Sequence, residues 1–160
     1  MKIIKEIIPY IIILVAVVLI RSFIVTPVIV SGSSMDKTLS DNDILLLKKY
    51  DKKYTRGEVI VFNYEGSKLV KRVIGLPGET VSYKDGKLYI NDNEVEDRFS
   101  VITHDFDLFD IGVEKIPEDY YFVLGDNRNK SSDSRIIGLI HKNDILGSTS
   151  FSLFPFKSFK

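Results

Sequence analysis

Two segments of this 160-residue chain hold a hydroxyl and an amine suited to acyl transfer. Ser31-Gly32-Ser33-Ser34-Met35-Asp36-Lys37-Thr38-Leu39 surrounds serines with small residues, permitting the close backbone approach that a nucleophile and its amide oxyanion donors need. By composition alone, the same stretch also describes a polar linker. Leu69-Val70-Lys71-Arg72-Val73-Ile74 sets adjacent cations in an apolar run. In a strand they point to opposite faces, so one of them faces inward. Lys71 shares its face with Leu69 and Val73, and Arg72 with Val70 and Ile74; the pattern leaves open which face is buried. An edge strand with solvated cations fits it too. A third segment, Gly125-Asp126-Asn127-Arg128-Asn129-Lys130-Ser131-Ser132-Asp133-Ser134-Arg135-Ile136-Ile137-Gly138, mixes turn formers with Arg and Asp. It describes a rigid loop held by charge-assisted hydrogen bonds, or a plain surface loop.

These segments must be positioned by what lies between them. Val28–Val30, Ile44–Leu47, Val59–Phe62, Leu69–Ile74, Tyr121–Leu124 and Ile145–Phe151 are short β-branched or aromatic runs punctuated by Gly, Asn, Asp and Pro. Asp85-Gly86 between Tyr83-Lys84 and Lys87-Leu88-Tyr89 is a two-residue hairpin signal. The expected fold is mainly β, with antiparallel sheets in a partly barrel-like domain. Residues 97–119 are acidic and poorly patterned, and read as an excursion from the core.

The amino-terminal stretch differs sharply in composition. Ile7–Ile20 is uninterrupted apolar sequence. At about 1.5 Å per residue it spans roughly 21 Å, short of a ~30 Å hydrocarbon core. Extension through Arg21 and Ser22 to Val25 gives enough length if Arg21 snorkels to the interface. Pro9 sits near the start, where a missing amide donor costs least. Lys2 and Lys5 before an apolar run also match a cleavable leader. No small-x-small site follows until Ser31-Gly32-Ser33, so a retained anchor is the reading adopted: residues 1–25 a cytoplasmic tip and transmembrane anchor, 26–160 an extracytoplasmic β-rich domain. The basic amino-terminal end favours the cytoplasmic side, although Arg21 weakens that bias. Near the other end, Phe151, Phe154, Phe156 and Phe159 either close the core or dip into the lipid interface.

The balance of 22 basic against 22 acidic residues argues against nucleic acid as a partner. With no cysteine, disulfides, thiolate zinc sites, iron–sulfur clusters and a cysteine nucleophile are excluded. His104 and His141 are far apart and leave little for a metal site. They do allow a Ser/His pair as a minor alternative.

Taken together, the anchor, Ser-Gly-Ser-Ser-Met-Asp-Lys-Thr-Leu, Gly-Glu-Val-Ile-Val-Phe (57–62), Lys-Arg-Val-Ile-Gly-Leu-Pro-Gly-Glu (71–79) and the Gly-Asp-Asn-Arg to Ser-x-Asp-Ser-Arg-x-x-Gly block occur in an order that resembles type I signal peptidases, in particular the shorter Gram-positive-like form. The resemblance covers nearly the whole chain. It implies a membrane-anchored Ser/Lys endopeptidase with Ser34 as nucleophile and Lys71 as general base. Ser131 would orient the lysine, while Asp133 and Arg135 would brace the loop; Asp126, Asn127 and Arg128 look structural. It further implies secretory preproteins with small residues at positions −1 and −3 as substrates, the lipid bilayer and the secretion translocon as partners, and no metal or organic cofactor. Two positions depart from the usual pattern. Lys37 stands where proline is usual, and Gly32 stands where some members carry an oxyanion-hole serine, leaving a backbone amide to substitute.

The resemblance makes a chemical demand. Serine is a weak nucleophile and needs a neighbouring base. A free lysine, with a pKa near 10.4, is almost fully protonated at pH 7. The Lys71 face is therefore expected to be buried, because desolvation disfavours the ammonium. The rivals are a self-cleaving Ser/Lys protease and a membrane-tethered β-domain that binds exported peptides without cutting them.

Overall fold

The computed structural model describes residues 2–23, 25–49, 52–99 and 104–159, with the side chains of residues 2–5, 19–23 and 25 outside the description. The amino-terminal apolar run is helical, and α1 spans Lys2–Phe23. Pro9 falls inside this helix rather than in its first turn, so it removes one backbone hydrogen bond there. The large side chains described on α1, from Ile7 to Val18, are 46–73% exposed. Among the described residues no helix is long and apolar enough to cross a membrane; the side chain of Arg21 lies outside them.

Thirteen strands follow among the described residues: β1 (Val25–Ile29), β2 (Ile44–Lys48), β3 (Val59–Tyr64), β4 (Ser67–Gly75), β5 (Val81–Lys84), β6 (Lys87–Ile90), β7 (Asn93–Val95), β8 (Phe106–Asp107), β9 (Tyr120–Leu124), β10 (Ile140–His141), β11 (Ile145–Thr149), β12 (Phe151–Phe154) and β13 (Lys157–Ser158). A short helix, α2, spans Ser134–Ile137. The larger sheet runs β10-β9-β4-β3-β11-β2-β12-β13, with β1 also on β2; the smaller runs β7-β6-β5-β8. The β1–β2, β3–β4 and β4–β9 pairs are antiparallel, as is the β5–β6 hairpin. No pairing among the described residues closes the large sheet, whose end strands β10 and β13 are two residues each. The fold is mainly β with antiparallel sheets, as expected, and the described strands form no closed barrel.

Periodicity explains the core. On β2, Leu45 and Leu47 are buried while Ile44, Leu46 and Lys48 are half-buried, a period of two that marks one dry face. β3 has no such alternation, since Val59 to Phe62 are all buried. A strand covered on both faces reads as a continuous apolar run. The Asp85-Gly86 turn has both residues in the left-handed region (φ 50° and 76°), with Lys84 facing Lys87 across the hairpin. That is the backbone demanded by a two-residue turn.

The 97–119 stretch is not an excursion. Phe106, Leu108 and Ile116 are buried with Tyr83, Leu88, Phe122 and Leu124 in one apolar cluster. Ile116 is tied down by backbone hydrogen bonds to Gly78 and Glu79. Its Cδ1 would lie 2.5 Å from any Cβ built at Gly75, so a hydrogen is what fits there. These apolar residues are spaced too irregularly for a period of 2 or 3.6, which is why the pattern conceals them.

The carboxy-terminal phenylalanines divide. Phe159 is half-buried and packs on the cluster containing Val28 and Met35, whereas Phe154 and Phe156 are 71% and 80% exposed. Phe154 pairs with Ile44, which pairs with the 64%-exposed Ile29, so one apolar row crosses β1, β2 and β12.

Within the 97–119 stretch, Ile116→Ala is expected to cost about 2–5 kcal/mol, as for other core truncations. Phe109→Ala, at a side chain 67% exposed, should cost under about 0.5 kcal/mol. Urea unfolding of the full chain in detergent measures both.

Candidate active site

Ser34 lies in the turn between β1 and β2. Its neighbours Met35 and Leu39 are each 1% exposed and anchor the turn in the core, while Ser34 stays half-exposed. Backbone hydrogen bonds from Thr38 and Leu39 to the Met35 carbonyl tighten the turn. The Asn127 backbone N–H donates to the Ser34 carbonyl at 3.0 Å, and Asn127 Nδ2 donates to the Ser33 carbonyl at 3.0 Å. The loop after β9 thereby clamps the serine turn. Gly125 is required for this approach, because a Cβ there would stand 2.5 Å from the Ser34 carbonyl oxygen and 2.6 Å from Ser131 Cβ.

Lys71 sits in β4 opposite Ile60 of β3. Its Nζ lies 2.7 Å from Ser34 Oγ and donates to the Val70 carbonyl at 3.1 Å. Both faces of β4 are covered here: Lys71 is 2% and Arg72 4% exposed. The Lys71 face is buried as expected, but Arg72 is not on a wet face, because its charge is neutralised. It grips Asp126 through Nε at 2.8 Å and Nη2 at 2.6 Å, and donates to the Gly57 carbonyl through Nη1. Thr38 Oγ1 donates to the same carboxylate at 2.6 Å. A bidentate guanidinium–carboxylate pair is the geometry in which a buried charge is tolerable.

Burial pushes the Lys71 amine below its ordinary value, and the Asp133 and Asp126 carboxylates pull the other way. Both carboxylates are already claimed. Asp133 caps α2, accepts from the Gly125 N–H at 3.0 Å and pairs with Arg135 at 2.8 Å. Their pull on Lys71 is blunted accordingly, and desolvation prevails.

The remaining expected positions are placed less simply. Ser131 is buried beside Gly125, and its Oγ has no hydrogen-bond partner among the described residues. Gly32 is at φ 90° and its N–H donates to Asp41 Oδ1 at 2.8 Å, so that amide is committed elsewhere. Lys37 has φ 98°, a conformation closed to proline, whose ring holds φ near −65°. The turn here thus differs in shape from one built around proline. His104 is exposed; His141 meets Tyr120 edge-on at 4.9 Å and accepts from the Asn143 N–H. The side chain that meets the Ser34 hydroxyl here is Lys71.

Sequence reasoning missed one buried cluster. Arg128 is 2% exposed, donates to the Gly125 carbonyl at 2.9 Å and grips Asp97, which also accepts from the Tyr83 hydroxyl at 2.6 Å. Burial would raise the Asp97 carboxyl, but the hydrogen bonds from Arg128 and Tyr83 outweigh it and hold it below the usual carboxylate range. Burial also pushes the Tyr83 hydroxyl up. The Arg128 motif was visible; its partner on a poorly patterned stretch was not.

A serine hydroxyl and a desolvated amine, brought together on an antiparallel β-scaffold, are the equipment of a serine hydrolase with lysine in the place of the base. Comparison with known proteins gives the family. The chain matches the family of signal peptidases, peptidase S26, over residues 3–154, and belongs to it. It is 40% identical to Signal peptidase I of Bacillus amyloliquefaciens, the match covering 94% of this chain and 87% of that protein. It is 37% identical to Signal peptidase IB of Staphylococcus aureus, over 89% and 84%. The crystal structure of a signal peptidase I from Enterococcus faecalis V583 superposes with a TM-score of 0.56 at 36% identity, covering 60% of this chain and 96% of that one.

Proposed function

We propose that this chain is a membrane-anchored serine endopeptidase that removes signal peptides from exported preproteins, with Ser34 as nucleophile and Lys71 as general base. The 2.7 Å separation of Lys71 Nζ from Ser34 Oγ, with the amine buried, carries the reading. In the free-amine state the Ser34 hydroxyl donates its hydrogen to Nζ. As Oγ attacks the scissile carbonyl carbon, the proton passes to Nζ and the Oγ–C bond forms. Backbone amides of the serine turn, that of Ser34 first, hold the oxyanion. The Lys71 ammonium then protonates the leaving amine as the C–N bond breaks, giving an acyl-enzyme. A water that loses its proton to the regenerated amine hydrolyses the ester and restores Ser34.

The family suggests substrates with small residues at −1 and −3. β1 pairs with β2 alone among the described strands, so its other edge can accept an extended peptide as an added strand. Alternate side chains of that peptide would then face the buried side of β1 near Val28 and Val30.

For residues 1–25 we propose a membrane anchor, with the amino terminus cytoplasmic and residues 26–160 outside. The exposed apolar side chains of α1 and the basic Lys2 and Lys5 support this. The Ile29–Ile44–Phe154 row and Phe156 would rest against the same bilayer. Tethering raises the effective concentration of enzyme near membrane-held preproteins, and the secretion translocon that delivers them is the neighbouring partner.

Incubating the full chain with a preprotein and mapping the cut tests the dyad. Wild type should cleave after the small-x-small site. Ser34→Ala should abolish cleavage, and Lys71→Ala should lower it by roughly 10²–10⁴-fold. Undiminished cleavage by either variant would contradict the mechanism, and no cleavage by wild type would favour a peptide-binding role. Because the chain has no tryptophan, Phe156→Trp makes a single reporter. In vesicles its emission should be quenched by brominated acyl chains; a water-exposed, unquenched emission would place the hairpin off the membrane.

A further inference from the structure

One aromatic ring lies beside two of the buried arginines that order the site's surroundings. The guanidinium carbons of Arg72, Arg98 and Arg128 lie 4.8, 5.5 and 6.0 Å from the centroid of Phe99. Arg72 directly follows Lys71 in β4. Arg128 holds the Gly125 carbonyl, and Gly125 opens the loop whose Asn127 clamps the Ser34 carbonyl. Phe99 therefore lies by the guanidinium of the residue that follows Lys71 in β4 and by the guanidinium that braces the loop clamping Ser34.

Both guanidiniums are buried and have spent their hydrogen-bonding edges: Arg72 on Asp126, Gly57 and Thr38, Arg128 on Gly125, Tyr83 and Asp97. What remains of each is a flat cationic face that can take no hydrogen bond and loses hydration on burial. An aromatic face covers it, excludes water and attracts the charge through the ring quadrupole. The ring is set in place locally, because Asp97 Oδ1 accepts from the Phe99 N–H at 3.1 Å while the same carboxylate grips Arg128. One carboxylate thus ties the ring's backbone to one of the cations it covers.

We propose that Phe99 is a positioning residue for the peptidase reaction: clamped by Asp97, its ring holds Arg72 and Arg128 so that Lys71 and the Ser34 turn keep their separation in a dry site. This rests on the Ser34–Lys71 reading. The charged groups around Lys71 are Asp126 with its partner Arg72 and Asp133 with its partner Arg135. Arg72 loosened from Asp126 would leave that carboxylate's pull on Lys71 unscreened, so the ammonium would persist to higher pH.

The test is kcat, KM and their pH dependence for the full chain in micelles, with Phe99→Ala, Phe99→Leu and Phe99→Tyr, on a signal-peptide substrate, normalised to folded enzyme. Phe99→Tyr should stay within about twofold of wild type. Phe99→Leu, which keeps bulk but loses the π face, and Phe99→Ala should lose about tenfold in kcat with KM within about twofold. In both, the acid limb of the rate profile should move to higher pH. A role in stability alone would lower the unfolding temperature and leave the limb where it is. Wild-type kcat and limb in Phe99→Ala, or a Phe99→Leu as active as Phe99→Tyr, overturns the proposal. Should Phe99→Ala fail to fold, the Leu–Tyr comparison decides. A wild-type chain that cleaves nothing overturns the dyad reading, and this proposal with it.

Discussion

Lysine serves as a base only where water is kept from its ammonium, and the architecture around Lys71 supplies that exclusion. The amine is on a strand covered on both faces, 2% exposed, with the Ser34 hydroxyl at 2.7 Å. Each unit by which burial lowers a lysine's pKa costs about 1.4 kcal/mol of ammonium stability. The rest of the domain must carry that cost without letting solvent in. The apolar strands β2, β3 and β9 provide the bulk, and the packing of Met35 and Leu39 brings the serine turn onto this dry strand.

Carboxylates are the difficulty in such a design. Asp126 and Asp133 are fully buried near the amine and favour its charged form. Both are neutralised by arginines, Asp126 by Arg72 in a two-pronged grip and Asp133 by Arg135, and Asp133 also takes a backbone N–H. These pairs order the Gly125–Gly138 loop and shield the Lys71 amine from their own charge. Loop rigidity and base strength therefore have one origin, since weakening either ion pair would loosen Asn127 on Ser34 and expose a negative charge to Lys71.

Much of this was legible in the residues. The β-runs appeared because Val, Ile, Phe and Tyr alternate or cluster between turn formers, and Asp85-Gly86 gave the hairpin because few residues accept its positive φ. Ser34 and Lys71 were readable through the motifs around them, which resemble those of a known family. Tertiary packing concealed the rest. A strand with cations on both faces gives no hint that both are buried until the Asp126 partner arrives 54 residues later. Asp97, Phe99 and Ile116 sit on a stretch without periodicity, where only long-range contact distinguishes core from loop. The side-chain positions of Ser131 and the commitment of the Gly32 amide to Asp41 likewise depend on atoms that a motif does not specify.

Titration of the lysine side chains by heteronuclear NMR addresses the central claim most directly. In the full chain in micelles, with lysine labelled at Cε and Nζ, one resonance should titrate below the ordinary value of 10.5 and vanish in Lys71→Arg. Were the Lys71 signal to titrate together with those of the exposed lysines, the amine would be no better a base than any in solution, and the account of the site would be contradicted.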